Sequence, residues 1–344
     1  MSLKKQRFKI AWFLSGLEEC EDSYTSNLAS TRLRGLEIAK SLNGRPDVAV
    51  TVIPLQKRMV IDPHDMATFD VAVIGKIFRT YTPLFELLKS LGVPMVFDMC
   101  DDIYEQGRDC YDGVFDFGEG IVASTPLLGK IIEGNIGRRC AVIPDLQDGF
   151  EVAPQAINIS KSSLKLLWYG LAVNLAGLLE ALPRLKMDFP NRLSIDVVTN
   201  LNDQTKPYLA DIQKVYEGTV KLRPIQWSLV EMVYRFAICD AVIIPSVDDR
   251  KRRVKTANRL MNALWAGKPC IAYPVPSYTE FEEFVVLEQE TSVGVQHLLD
   301  HDPKSLRDKL KRGQDYIREH YSPEAISDRW LAELTSTILP QRDR

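Results

Sequence analysis

Several signatures of common binding sites are missing from this sequence of 344 residues. No apolar run approaches the roughly 18 residues that a membrane-spanning helix needs, and no signal-peptide or lipidation pattern is recognised. The six cysteines form no CxxC pair, and neither half of the chain contains the GxGxxG fingerprint of a nicotinamide or flavin site. The net charge of −3 disfavours general nucleic-acid binding. These absences argue against a membrane-spanning protein, a CxxC-type metal or redox protein, a dinucleotide-binding enzyme with the usual fingerprint and a general nucleic-acid-binding protein.

Histidine and cysteine are also too scattered to suggest a metal or redox centre. Of the four histidines, only His297 and His301 are close in the sequence, in a segment interpreted as a solvated helix end. Cys239 and Cys270 lie in apolar runs, where free cysteines behave as small buried hydrophobes of a reducing compartment. We therefore expect a cytoplasmic protein without a metal site, and leave open peripheral contact with the inner face of a membrane.

Apolar, strand-like runs alternate with amphipathic segments in both halves of the chain. They occupy residues 8–14, 48–54, 69–74, 93–97, 120–123 and 140–144, and then 164–168, 193–198, 239–244 and 270–273. Strands that alternate with helices are typical of a doubly wound parallel sheet. We predict two α/β domains joined by an aperiodic linker over residues 145–161. The cleft between two such domains would be the default ligand site.

The stretch from Ala241 to Tyr278 is the richest in candidate ligand groups. Its strand-like run is followed by a mostly basic loop and by a helix predicted from Thr256. Lys255 and Arg259 are four residues apart, which would place them on one helical face with Asn258 beside them. At the carboxyl end of a parallel strand, these groups and the helix N-terminus would bind a phosphorylated ligand. For any one of them, a solvated surface role is an equal alternative.

Two glycines occupy matching places in the two halves. Gly16 and Gly170 each follow the first strand of a half, where the lack of a side chain lets the backbone approach a ligand. Asp101 and Asp102 follow the strand at 93–97 and are candidates for a general base, a cation ligand or an acceptor-binding group. Helix capping or surface solvation is the alternative for both carboxylates.

A further candidate for anion binding is the helix that starts near Ser30. Ser30 is predicted as the N-cap, and Arg32 and Arg34 would approach an anion docked at the helix start. An ordinary capped helix is the alternative.

Segments along most of the chain resemble one known family. They read ASTRLRG (29–35), VPMVFDMCDD (93–102), IVASTPLLGKII (121–132), LLWYGLAVNLAGLLEALPRL (166–185), CDAVIIPS (239–246), NALWAGKPCIAYPVPSY (262–278) and SPEAISDRWLAEL (322–334). Together they are similar to GT-B glycosyltransferases, in particular the retaining glycosyltransferase family 4.

The resemblance implies a GT-B architecture with an acceptor-side Rossmann-like domain at 1–155 and a donor-side domain at 156–320. A C-terminal helix at 321–344 would cross back onto the first domain. The implied activity is transfer of a sugar from a nucleotide-diphosphate donor, with Gly170 and Asn174 contacting that donor. The acceptor would be a glycan, a lipid-linked molecule or a small molecule.

The sequence departs from this family at its donor site. Val254 and Asn262 stand where the family usually has two glutamates eight residues apart, and a sub-pattern with Lys255, Asn258 and Arg259 fits better. If Lys255 and Arg259 neutralise the diphosphate, the nucleotide sugar is a co-substrate and no metal or other cofactor is required. Asp101 and Asp102 are then the catalytic candidates. The alternatives are a degenerate protein that binds nucleotide or glycan without turnover, and a nucleotide-sugar epimerase.

Overall fold

The computed structural model describes residues 7–21, 23–56, 61–75, 79–105, 113–154 and 162–342. The chain divides into two compact units. Unit 1 comprises Met1–Leu146, Val254–Thr256 and His320–Arg344, and unit 2 comprises Gln147–Arg253 and Ala257–Glu319. The domain boundary predicted between residues 155 and 156 lies outside the described residues.

Unit 1 is built on a parallel sheet. Its strands are β1 (Phe8–Leu14), β2 (Glu18–Cys20), β3 (Ser23–Thr25), β4 (Val48–Pro54), β5 (Val71–Gly75), β6 (Met95–Met99), β7 (Gly120–Ala123) and β8 (Ala141–Val142). Six of these strands pair in parallel in the order β4-β1-β5-β6-β7-β8, while β2 and β3 form a small antiparallel hairpin. Every residue of β5 and β6 is buried, as expected for interior parallel strands covered on both faces.

Helices follow most of these strands. They are α1 (Ala29–Thr31), which continues through a π-helical turn at Arg32–Leu36 into α2 (Glu37–Asn43), and then α3 (Pro63–Met66), α4 (Thr82–Ser90) and α5 (Pro126–Ile136). Thr125 caps α5, because its hydroxyl accepts a hydrogen bond from the Leu128 amide at 3.2 Å. The predicted Ser30 cap is wrong. The helix already begins at Ala29, and the preceding Leu28 makes no side-chain capping bond.

Unit 2 repeats the parallel arrangement. Its strands are β9 (Leu164–Tyr169), β10 (Leu193–Thr199), β11 (Val220–Gln226), β12 (Ala241–Ile244), β13 (Cys270–Ala272) and β14 (Val286–Leu287). All pair in parallel in the order β11-β10-β9-β12-β13-β14. The predicted fold class, α/β with two parallel sheets, is confirmed.

The helices of the second half are longer on average. They are α6 (Leu175–Asp188), α7 (Thr205–Tyr216), α8 (Leu229–Ile238), α9 (Arg250–Arg253), α10 (Asn258–Trp265), α11 (Thr291–Asp300) and α12 (Pro303–Tyr321). The helix predicted from Thr256 begins two residues later. Val254 is buried in the core of unit 1, and the Thr256 hydroxyl donates to Asp145 at 2.8 Å. These contacts hold the segment in a non-helical conformation.

The last helix, α13 (Pro323–Arg342), belongs to unit 1. The Ser322 hydroxyl accepts a hydrogen bond from the Ala325 amide at 3.2 Å, and Pro323 takes the first helical position. Trp330 is fully buried and packs edge-on against Trp12 of β1, with ring centroids 5.0 Å apart. This packing returns the C-terminal helix to the first sheet, as predicted.

Candidate functional site

The topology of unit 2 places a crevice at the carboxyl ends of β9 and β12. These strands are neighbours in the sheet, but the chain leaves β9 towards β10 and leaves β12 towards β13. The two connections therefore diverge at this switch point, which is where open α/β sheets bind their ligands. Gly170 follows β9 directly, and α10 follows β12 after the short helix α9.

Arg259, in the first turn of α10, lies beside two aromatic rings at the end of β9. Its guanidinium carbon is 5.4 Å from the ring centroid of Trp168 and 5.5 Å from that of Tyr169. The Tyr169 hydroxyl donates to the backbone carbonyl of the same arginine at 2.5 Å. Arg259 therefore connects the carboxyl end of β9 with the start of α10. The two aromatic residues just before Gly170 carry a signal that the sequence interpretation missed.

One edge of the Arg259 guanidinium has no hydrogen-bond partner among the described residues. Its Nε and Nη2 atoms are both buried and both unsatisfied. These two nitrogens point their N–H groups along the same edge, which is the fork that grips two oxygens of a phosphate or carboxylate. A buried donor pair left unpaired is costly, so this edge has the properties of an anion-binding site.

Cys270, Tyr278 and Tyr169 interact electrostatically with Arg259, and all three keep their protons at neutral pH. Burial raises the pKa of Cys270 and of Tyr278 to about 12, and the positive charge of Arg259 only partly opposes each rise. Burial likewise raises the pKa of Tyr169 well above 10, again opposed by Arg259. None of the three therefore supplies a negative charge at neutral pH.

Gly170 and Asn174 lie against this arginine. A Cβ atom added to Gly170 would sit 3.4 Å from the guanidinium carbon of Arg259 and 3.6 Å from the amide nitrogen of Asn174. A larger side chain here would cover the guanidinium. Arg252 also contacts this turn, since its Nη2 donates to the Val173 carbonyl at 2.8 Å. The structure therefore brings three predicted residues together, Gly170, Asn174 and Arg259, with Asn258 as the first residue of α10.

Lys255 lies apart from this group in the secondary structure. It precedes α10, so the argument that Lys255 and Arg259 share a helical face does not hold. Lys255 belongs to unit 1, where its ammonium lies 2.6 Å from an Asp101 carboxylate oxygen. The side chains of the pair are 53% and 39% exposed, which makes it a partly solvated contact. Asp102 is buried, and its carboxylate accepts a hydrogen bond from the Tyr104 amide at 3.1 Å, which is a local capping role.

Arg34 is not available to a dissolved anion in this structure. Its side chain is 1% exposed, with Nη2 at 2.6 Å from Asp98 and Nη1 at 2.8 Å from Asp145. Burial by itself would lower the pKa of Arg34, but the two carboxylates outweigh it and raise the pKa. The predicted anion-binding role therefore does not fit Arg34. Arg32 is only half-buried, and its Nη1 donates to the Ser26 carbonyl at 3.2 Å.

Gly16 occupies the equivalent switch point of unit 1, after β1. Its φ of +69° is a left-handed conformation that favours glycine. Its carbonyl accepts a hydrogen bond from the Ser26 hydroxyl at 2.7 Å, and an added Cβ would meet the Leu28 side chain at 2.5 Å. The position thus requires glycine for its backbone conformation and for close packing, whatever ligand approaches it.

The described residues also lack two features. No group of three or more His, Cys, Asp or Glu side chains in this part of the chain is arranged to hold a metal ion. Among its helices, none is both long enough and apolar enough to cross a bilayer.

Solved structures with a similar fold include GT-B glycosyltransferases. A UDP-forming α,α-trehalose-phosphate synthase from Burkholderia xenovorans aligns with a TM-score of 0.61 and 10% identity, over 96% of this chain and 99% of that protein. AviGT4, a glycosyltransferase involved in avilamycin A biosynthesis, aligns with a TM-score of 0.57 and 13% identity, over 97% and 98%.

TarM aligns with a TM-score of 0.59 and 11% identity, over 77% of this chain. The aligned part is 54% of TarM, so the chain spans about half the length of that protein. No protein-family model and no curated protein sequence matches the chain. At such low identities, the likeness is one of fold.

Proposed function

We propose that this protein is a glycosyltransferase that transfers a sugar from a nucleotide-diphosphate donor to an acceptor, with retention of anomeric configuration. The observation that carries the proposal is the buried, unpaired Nε–Nη2 edge of Arg259 at the switch point of unit 2. A diphosphate supplies two neighbouring oxygens that can accept hydrogen bonds from Nε and Nη2, together with negative charge that complements the guanidinium. The UDP-forming synthase with the same fold supports a nucleotide diphosphate as the ligand class.

Arg259 would contribute most when the donor bond breaks. Negative charge then develops on the leaving diphosphate, and a fixed cation in a buried setting stabilises that charge more than water does. Gly170 leaves the guanidinium uncovered, while Asn174 and Asn258 are proposed to add polar contacts to the donor. Lys255 is proposed as a second cation for the diphosphate. No metal is required in this scheme.

The acceptor side is proposed to lie in unit 1. Asp101 is the better catalytic candidate of the two carboxylates, since it is partly exposed whereas Asp102 is buried and caps a turn. Arg32 and the backbone at Gly16 are proposed acceptor or anion contacts. A glycan, a lipid-linked molecule and a small molecule all remain in the proposed acceptor class, and membership of glycosyltransferase family 4 is part of the proposal.

Calorimetry with a panel of nucleotide diphosphates tests the assignment. Wild type is expected to bind one of them, and Arg259→Ala is expected to weaken that binding by about 10- to 100-fold, as loss of a charge-assisted bidentate contact does. Arg192→Ala is the matched control, because Arg192 also stacks on an aromatic ring, that of Phe189 at 5.4 Å, but lies at the amino end of β10. Equal affinities in wild type and Arg259→Ala for every nucleotide tried would overturn the proposal.

A second candidate is a protein that binds the nucleotide without turnover. It is favoured by Val254, which is 1% exposed in the core of unit 1 and stands at one of the two positions where the family usually carries glutamate. Release of nucleotide diphosphate from nucleotide sugars separates the cases. A transferase releases it only when acceptor is added, a pure binding protein never does, and an epimerase converts the donor without acceptor.

A further inference from the structure

Tyr169 contacts Arg259 at two separate points. Its hydroxyl donates to the Arg259 carbonyl oxygen at 2.5 Å, and its ring centroid lies 5.5 Å from the guanidinium carbon. The first contact fixes the backbone of the arginine at the start of α10. The second supports one side of the long, flexible side chain. Among the described residues, Tyr169 is thus a residue that contacts both the backbone and the guanidinium of Arg259.

Tyr169 is itself firmly held. It is the last residue of β9, is 6% exposed, and packs edge-on against Phe236 of α8 with ring centroids 5.4 Å apart. Burial raises the pKa of its hydroxyl well above 10, so the proton that it donates stays in place at neutral pH. The strand thus presents a rigid phenol to a side chain that would otherwise sample many rotamers.

We propose that Tyr169 is a positioning residue that directs the Nε–Nη2 edge of Arg259 towards the phosphate oxygens of the donor. A bidentate contact depends on direction as well as charge, so an arginine aligned in advance binds its anion more tightly than a free one. Tyr169 acts through Arg259, because its own hydroxyl is committed to the arginine carbonyl. This inference rests on the proposed function, since it names the residue that prepares the same site.

A double-mutant cycle on UDP affinity, measured by calorimetry on the full chain, tests this role. Tyr169→Phe keeps the ring and removes the hydroxyl, and UDP affinity is expected to fall about fivefold, the usual scale of one lost hydrogen bond. In an Arg259→Ala background the same substitution is expected to change affinity by less than about twofold, because no guanidinium remains to be aligned.

Tyr216→Phe is the matched control. Tyr216 also packs beside a cation of unit 2, because the Lys186 ammonium lies 5.7 Å from its ring centroid. Tyr216 is the last residue of α7, whereas Tyr169 ends β9 and contacts the first turn of α10. Its substitution is expected to leave UDP affinity unchanged in both backgrounds. Melting curves of all variants establish that each is folded at the temperature of the titration.

Two results would overturn the positioning role while leaving the proposed function intact. One is wild-type UDP affinity in Tyr169→Phe when Arg259→Ala binds weakly. The other is a fivefold loss that persists undiminished in the Arg259→Ala background, which is the behaviour of a general structural defect. If instead wild type and Arg259→Ala bind every nucleotide diphosphate equally, the proposed function fails, and the positioning role fails with it.

Discussion

Arg34 and Asp98 form a fully buried ion pair, with the Arg34 Nη2 nitrogen 2.6 Å from a carboxylate oxygen. A carboxylate oxygen of Asp145 lies 2.8 Å from the Arg34 Nη1 nitrogen. The Asp145 carboxylate also accepts a hydrogen bond from the Thr256 hydroxyl. One cation therefore joins β6, the chain after β8 and the segment Val254–Thr256 within unit 1. The arginine that the sequence alone suggested for anion binding is therefore a structural cation of unit 1.

Replacement of this arginine should cost unit 1 much of its stability. Arg34→Met keeps most of the side-chain volume but leaves two buried carboxylates without their cation, and the unfolding free energy is expected to fall by about 3–5 kcal/mol. Arg45→Met is the control, because Arg45 pairs with Asp328 at the surface, where such pairs contribute about 0–1 kcal/mol. Urea denaturation of both variants measures the difference. An equal, small loss in both would contradict the structural role of Arg34.

The sequence predicted best those elements whose buried face is apolar throughout. The strands at 8–14, 48–54 and 120–123 were predicted with the bounds that they have in the structure. Helix α7 was not predicted, because Thr205 and Leu209 are its only fully buried described side chains and its apolar stripe is correspondingly weak. Burial, which follows from tertiary packing, decides such elements more than local pattern does.

The candidate site was predictable where topology decides position. Gly170 and Arg259 follow neighbouring parallel strands, so their proximity follows from the sheet order. The ion pairs were not predictable, since Asp98 lies 64 residues from Arg34 and Asp101 lies 154 residues from Lys255. The sequence around a charged residue does not show which distant residue will pair with it in the folded protein.

The cysteines should differ sharply in reactivity towards a thiol reagent. Cys20 is exposed, whereas Cys140, Cys239 and Cys270 are buried, and burial raises the pKa of each of these three to about 12. The thiolate is the reactive form, so the buried three are doubly protected at pH 8. Peptide mapping after brief labelling of native protein should find Cys20 modified and these three unmodified until denaturant is added. Rapid native labelling of Cys270 would contradict its placement in β13.

Unit 2 should lose stability as the solution becomes alkaline. The folded pKa of Cys270 and of Cys239 is about 12, against 9.0 for an unperturbed thiol, so between these values the unfolded chain has released protons that the folded chain still holds. Stability then falls with rising pH, by up to about 1.4 kcal/mol per pH unit for each thiol. The effect fades below pH 9 and disappears at neutral pH, where the thiols are protonated in both the folded and the unfolded chain.

The slope can be assigned to a particular thiol by substitution. Cys270→Ala should flatten the decline of unfolding free energy between pH 9 and pH 10.5, while Cys20→Ala, at an exposed position, should leave it unchanged. Denaturant titrations at several pH values give both slopes. A slope that Cys270→Ala does not alter would show that this thiol keeps an ordinary pKa in the folded protein.

Substitution of Asp101, which pairs with Lys255, can distinguish a role in stability from a role in the proposed reaction. Both side chains are partly exposed, so Asp101→Asn is expected to change the unfolding free energy by less than about 1 kcal/mol. If Asp101 serves the reaction as proposed, the same change should lower donor-dependent transfer by about 100-fold, the scale for loss of a positioned acid or base. Glu333→Gln is the control, because Glu333 pairs with the exposed Arg139 in unit 1 and has no proposed role in transfer. Full transfer activity in Asp101→Asn, with donor affinity unchanged, would contradict the proposed catalytic role and leave Asp101 only as the ion-pair partner of Lys255.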